Sequence, residues 1–430
     1  MPIHTKRMRF RRLLVLAVVA VGAFVVALPA SAAHADTGDY GYEDQAYSGK
    51  SSPSADKPQS KLWYNDGYWW ATMLTPTSQQ YHIYRLDRST QTWSDTGTVV
   101  DTRVNTSSDA LWDGSKLYIA SHVAVSSSSN STSGKPAWVN RYSYDSATKT
   151  YTEDSNFPSK ISDYSSESLT MDEDSTGRLW VTYTRLSKVY VTASTPGGGT
   201  WTTPFVLPVA GSSTGADDIS ALVSFAGKIG VMWSNQKSTP AAMYFAVHND
   251  VDPVTTWQPS TTITAGPYSA DDHINLKALE ADDQGRIFGV VKTSFNDDPS
   301  QPDTAPLINL VEYNSTTGIW SSATFGTVGD HHTRPVVMLD KSHNQVYVFA
   351  TGPSVAGQTV YEGTIYMKTT PMDALSFTAG EGTPVIRDAS SAHMNNATSS
   401  KQTVNSGTGL IVLATNDTTR RYWHADIPLG

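Results

Sequence analysis

The sequence predicts an all-β protein: a seven-bladed β-propeller whose last blade is closed by an N-terminal strand. Three observations carry this expectation. The composition favours strands, a strand–turn–strand pattern recurs seven times, and a strand missing at one end is matched by spare residues at the other. The chain holds 12 Trp and 21 Tyr, with many Thr and Val and with turns rich in Gly, Asn, Asp and Ser. Aromatic and β-branched residues suit a pleated, half-buried surface.

In chain order, the first element reads as an export signal. Lys6, Arg7, Arg9, Arg11 and Arg12 precede an uncharged apolar run from Leu13 to Ala30, and "SAAHAD" supplies small residues before Asp36. This is the pattern of a cleaved signal peptide over residues 1–35, and it implies a secreted protein. The other readings of the run are a twin-arginine signal or an uncleaved anchor barely long enough to span a bilayer. Cleavage removes five basic residues and takes the formal charge from −9 to −14. So acidic a chain is a poor general binder of nucleic acid or anionic membranes. There is no Cys, which excludes thiol catalysis, thiolate metal sites and disulfides.

The repeat emerges when the turns are aligned. The units are "LWYNDGYWWA", "ALWDGSKLYIA", "LTMDEDSTGRLWVTY", "LVSFAGKIGVMW", "LEADDQGRIFGVV", "VVMLDKSHNQVYVFA" and "QTVNSGTGLIVLA". Their turn markers are Gly67, Gly114, Gly177, Gly227, Gly285, Asn344 and Gly409. Tight hairpins need positive φ, which Gly and Asn tolerate. A third strand follows each unit ("YHIYRLD" in the first, "RYWHADI" in the last), and a turn closed by an aromatic follows six of them: Trp93, Tyr151, Trp201, Trp257, Trp320 and Phe377. The blades fall near residues 61–104, 105–160, 161–210, 211–265, 266–328, 329–385 and 386–430. The last lacks its outer strand, which residues 40–58 would supply and so remove an exposed edge. A six-bladed ring or a two-sheet sandwich are the alternatives. The Trp-rich "WYNDGYWW" reads as packing between blades.

Two stretches carry resemblance to known families. "STPGGGTW", Ser194 to Trp201, is similar to the Asp-box (BNR) turn of sialidase-like propellers, with its central Asp absent. Asp272, His273 and Asn275 in "DDHINLK" resemble a strand start in BNR-repeat-like carbohydrate enzymes. Those include seven-bladed polysaccharide lyases of the ulvan or rhamnose–glucuronate type and related α-L-rhamnosidases. The resemblance implies a secreted carbohydrate-active propeller with a polysaccharide or oligosaccharide substrate. Fold alone does not decide function.

The residues themselves point to one face. In a propeller the innermost strands begin beside the central channel, and function gathers on loops held there. His273 lies twelve residues before Gly285 and His332 twelve before Asn344, so the two take equivalent places in adjacent blades. Asn275 and Arg334 follow two residues later. Strand alternation puts His273, Asn275 and Lys277 on one side. His393, Asn395 and Asn396 stand at the start of the last blade, Glu167, Asp217 and Asp218 at the starts of the third and fourth, and His122 ends the second strand of the second. The convergence of these groups suits β-elimination on a uronic-acid glycan. His273 and His332 would serve as base and acid, Arg334 and Asn275 would neutralise the carboxylate, and Lys277 would support them. Asp272, His122, Glu167, Asp218, His393, Asn395 and Asn396 complete the expected substrate contacts. Glycoside hydrolysis, for which Glu167, Asp218 and Asp272 are the candidate carboxylates, and non-catalytic glycan binding are the alternatives. No cofactor is required. Four converging His would suit a structural metal ion, though no recognised ligand spacing is present.

Overall fold

The computed structural model describes residues 38–54, 57–279, 284–355 and 363–429. The chain divides into two units, Met1–Asp36 and Thr37–Gly430. The first, with the expected signal peptide, lies outside the described residues, as does part of the loop expected at 352–363.

Thr37–Gly430 is a β-propeller. Among the described residues the helices are three single 3-10 turns. None is long and apolar enough to cross a membrane. The strands fall into successive antiparallel sets, the first being Leu62–Asn65, Tyr68–Leu74, Tyr81–Asp87 and Thr92–Asp101 in spatial order. The second set carries a fifth strand. Thr150–Glu153 and Ser159–Tyr164 both pair with the long strand Ser133–Asp145. The sixth and seventh sets are joined by the pair Gly363 and Met394 and by a bridge between Asp340 and Val404.

The innermost strands are Leu62–Asn65, Thr106–Trp112, Leu169–Glu173, Ser220–Phe225, Ile274–Ala278, Thr333–Asp340 and Met394–Thr398. Each touches the next, and a bridge between Leu62 and Ser400 closes the circle. At the outer edge Tyr42–Ala46 pairs with Arg421–Ile427, so the N-terminal strand completes the last blade. His424 secures that seam, with Nδ1 2.8 Å from Asp44 and Nε2 2.9 Å from Gln91, which belongs to the first blade.

Local chemistry explains the repeat. All seven turn markers adopt positive φ, from +54° at Gly285 and Asn344 to +93° at Gly114. The closing aromatics share one task, because each reaches back to the preceding blade. The Trp93 ring stacks edge-on to His424, Tyr151 to Trp63 and Trp70, Trp257 to Trp180, Trp320 to Phe245 and Phe377 to Phe325. Trp201 instead donates its indole N–H to Ser159 Oγ at 3.0 Å. The core is therefore distributed between neighbouring blades. Trp63, Trp69 and Trp70 lie buried in it.

A further segment lies inside the ring of innermost strands. After the ring-closing strand the chain crosses the axis before starting the first blade. Asn275 Nδ2 donates to the carbonyls of Lys57 and Pro58, Gln59 Nε2 to Leu169 O, Ser60 N–H to Asp109, and Thr398 Oγ1 to Gln59 O. A strap bonded to the innermost strands of four blades occupies the channel and divides it into two ends.

Candidate functional site

At the end where the innermost strands begin, the loops before three of them deliver acids. Glu167 precedes Leu169–Glu173, Asp217 precedes Ser220–Phe225, and Asp271 and Asp272 precede Ile274–Ala278. One oxygen each of Glu167, Asp217 and Asp272 lies within 4.8 Å of the others. Lys57, from the strap, pairs with Asp272 and stands 3.9 Å from Glu167. Asp271 pairs with Lys292 and, at 2.5 Å, with His273 Nδ1, which is also 2.8 Å from Asp272. The chain of contacts runs from Lys292 through Asp271, His273, Asp272 and Lys57 to Glu167.

Burial and charge set the ionisation of these groups. Asp271 is held well below the usual carboxylate range: burial opposes its charge, but His273 and Lys292 outweigh it. Burial pushes His273 down to about 3 against the pull of Asp271, so the ring is neutral at pH 7. Burial lowers Lys57, opposed by Glu167, Asp271 and Asp217. Asp217 keeps much of its surface in solvent, but partial desolvation of its carboxyl raises it against the pull of Lys57, and the neighbouring carboxylates of Asp271 and Asp218 add to the rise. The mouth thus presents a carboxyl that resists ionisation beside carboxylates held by a lysine, a division suited to acid–base work.

Of the residues expected at this mouth, Glu167, Asp217, Asp272 and His273 meet there, and Arg334 lies near enough to oppose the charge on Lys57. The others go elsewhere. His332 does not face His273. It is fully buried between the rings of Phe325, 5.0 Å away, and Tyr366, 5.9 Å away. The cause is a bulge: the register of Thr333–Asp340 slips between Thr333 and Val336, and Arg334 adopts φ +51°. The slip reverses the alternation. Thr333 Oγ1, 3.4 Å from His273 Nε2, takes the place expected for His332. Asn275 is buried and holds the strap; its Oδ1 accepts from Val337 N–H at 3.3 Å. His122 is buried, with Nε2 3.0 Å from Gln59 and Nδ1 3.1 Å from Ser166 O. The Asp218 carboxylate ties its own loop, accepting from the N–H groups of Gly215 and Gln236. Asn395 and Asn396 are buried at a second bulge, where Asn395 Oδ1 accepts from Asn396 N–H. His393 is half-buried ahead of that strand. The four His expected as metal ligands therefore do not converge. The groups near enough to share an ion are instead Asp271, Asp272 and His273, and Glu167, Asp217 and Asp272.

Lys277 lies beyond the strap, at the other end of the channel. Its Nζ donates to Ser60 Oγ at 3.0 Å, and burial pushes it down to about 7, with Lys401 adding to the fall. Together with Lys401, Asp172, Glu173 and Trp112 it lines a cavity of about 520 Å³. Burial raises Glu173 there to about 7, with Asp113, Asp172 and Asp174 adding to it.

The comparisons with known proteins extend the fold and no further. No family model matches the sequence, and no curated protein matches it. Among solved structures it is similar to hydrazine synthase of Kuenenia stuttgartiensis (TM-score 0.50, 12% identity, covering 91% of this chain and 100% of that one). It is also similar to the polysaccharide lyase Uly1 (0.47, 10%, 90% and 92%) and to an α-L-arabinanase of Penicillium chrysogenum (0.43, 11%, 78% and 99%). At such identities the likeness is one of fold.

Proposed function

We propose that this protein is a carbohydrate-active enzyme that hydrolyses glycosidic bonds at the mouth of the propeller. The observation that carries this reading is the convergence of Glu167, Asp217 and Asp272 from three blades, with Asp217 raised and Glu167 beside Lys57. In this reading the Asp217 carboxyl protonates the leaving oxygen. Glu167, 3.9 Å from the Lys57 amine, attacks the anomeric carbon, and water then releases the sugar with Asp217 as base. Oxygens within 4.8 Å of one another suit the close carboxyl pair of a retaining glycosidase, about 5–5.5 Å, better than the wider inverting pair.

Elimination, the first expectation from sequence, draws less support. It needs an imidazole with a free nitrogen, whereas both ring nitrogens of His273 face partners, Asp271 and Thr333 Oγ1, and His332 is enclosed by aromatic rings. The test is kinetic. Asp217→Asn should cut turnover of a cleaved oligosaccharide by about 10²–10⁴. Glu167→Ala should lose activity and regain it with added azide, yielding a glycosyl azide. Full activity in both variants would remove the assignment.

A further inference from the structure

Between the fourth and fifth blades, on the mouth side, lies a second cavity of about 600 Å³. Pro240, Pro267, Tyr268 and Ala270 form its apolar walls, and Gln236 and Asp297 stand among its polar groups. Its walls adjoin the loops that carry the carboxylate cluster. Gln236 Nε2 donates to Asp218, the neighbour of Asp217, at 3.1 Å. Ala270 directly precedes Asp271, and Ser294 Oγ, also in the wall, donates to Ala270 O at 2.8 Å.

Tyr268 is the unusual residue. Its side chain remains 43% exposed, and its backbone sits at φ +59°. An aromatic residue holds that conformation only where surrounding bonds impose it, and such strain gathers at functional positions. Here Ser294 N–H donates to Tyr268 O at 2.9 Å, Ser269 N–H to Gly266 O at 3.2 Å, and Thr264 Oγ1 to Ser269 O at 3.0 Å. The strained loop presents the ring to the cavity.

We propose that this cavity is the subsite for the sugar unit next to the cleaved bond, with the Tyr268 ring as its stacking platform. A pyranose has an apolar C–H face and a hydroxyl rim, which match a wall of Tyr and Pro edged by polar groups. The lining carries an acid and no base, so the unit it takes is a neutral sugar and not a uronate. This inference rests on the hydrolase reading and assigns its substrate class.

The test uses the whole protein and a panel of neutral gluco-, xylo-, arabino- and manno-oligosaccharides beside uronate-containing ones. On a neutral oligosaccharide that the wild type cleaves, Tyr268→Ala should raise KM roughly tenfold while kcat falls less. Tyr268→Phe, which keeps the ring, should recover most of that loss. Tyr268→Gly should raise Tm, by relieving the backbone, while also raising KM. A merely structural tyrosine would not give these opposed shifts. Unchanged KM in the Ala and Gly variants would overturn the subsite and leave the hydrolase reading standing. Cleavage confined to uronate-containing chains would overturn the neutral-sugar assignment. No glycosidic cleavage of any member would overturn both readings.

Discussion

At Lys57 one ammonium serves two carboxylates that would otherwise repel each other across the mouth. Replacing it by Met leaves the buried Asp272 and the half-buried Glu167 without that counter-charge. We expect a loss of about 1–3 kcal/mol, read as a lower denaturation midpoint. Unchanged stability would mean that the lysine is a spectator. His332 gives a cleaner pH prediction. Burial pushes it to about 4 from an ordinary value near 6.5, so the fold holds it neutral. A depressed folded value means that stability is intact above pH 6.5 and is lost as pH falls toward about 4. His332→Leu should flatten that acid-side loss in thermal unfolding scans, and a slope equal to wild type would contradict this. The same residue shows where the sequence could not be read. Counting back from a turn assumes unbroken alternation, and the bulge at Arg334 breaks it. Asp271 stood in the very stretch that drew attention, but nothing in the sequence around Lys57 announces that the strap would carry it into the cluster.

At the scale of elements, the turns and third strands were legible because they are local. A Gly or Asn between two apolar runs has one cheap solution, positive φ, and all seven markers take it. The closing aromatics were legible as positions, though not as contacts that reach back to the preceding blade. The strap was illegible because its bonds join Gln59 and Ser60 to residues far along the chain, such as Leu169 and Asp109. The N-terminal strand is the element whose loss is most instructive. Removing residues through Ala46 would bare the edge of Arg421–Ile427 and strip His424 of Asp44. We expect a lower Tm and concentration-dependent aggregation, since an exposed strand edge templates pairing. An equally stable, monomeric truncation would show that the seam carries little.

At the scale of the molecule, the circle explains how a site can be assembled from loops so distant in sequence. Glu167, Asp217 and Asp272 meet because each precedes an innermost strand, and innermost strands converge on the axis. The strap then makes one channel into two ends, with acids and His273 at one and Lys277 with Glu173 at the other. A reading that placed every polar residue at one mouth mixed these ends, because sequence spacing does not say on which side of an unforeseen plug a side chain falls. The most direct measurement is product analysis of a cleaved polysaccharide with the wild type and Asp217→Asn. The account predicts new reducing ends without the near-ultraviolet absorbance of an unsaturated uronide, and their disappearance in the variant. An absorbing unsaturated product, or undiminished cleavage by Asp217→Asn, would contradict it.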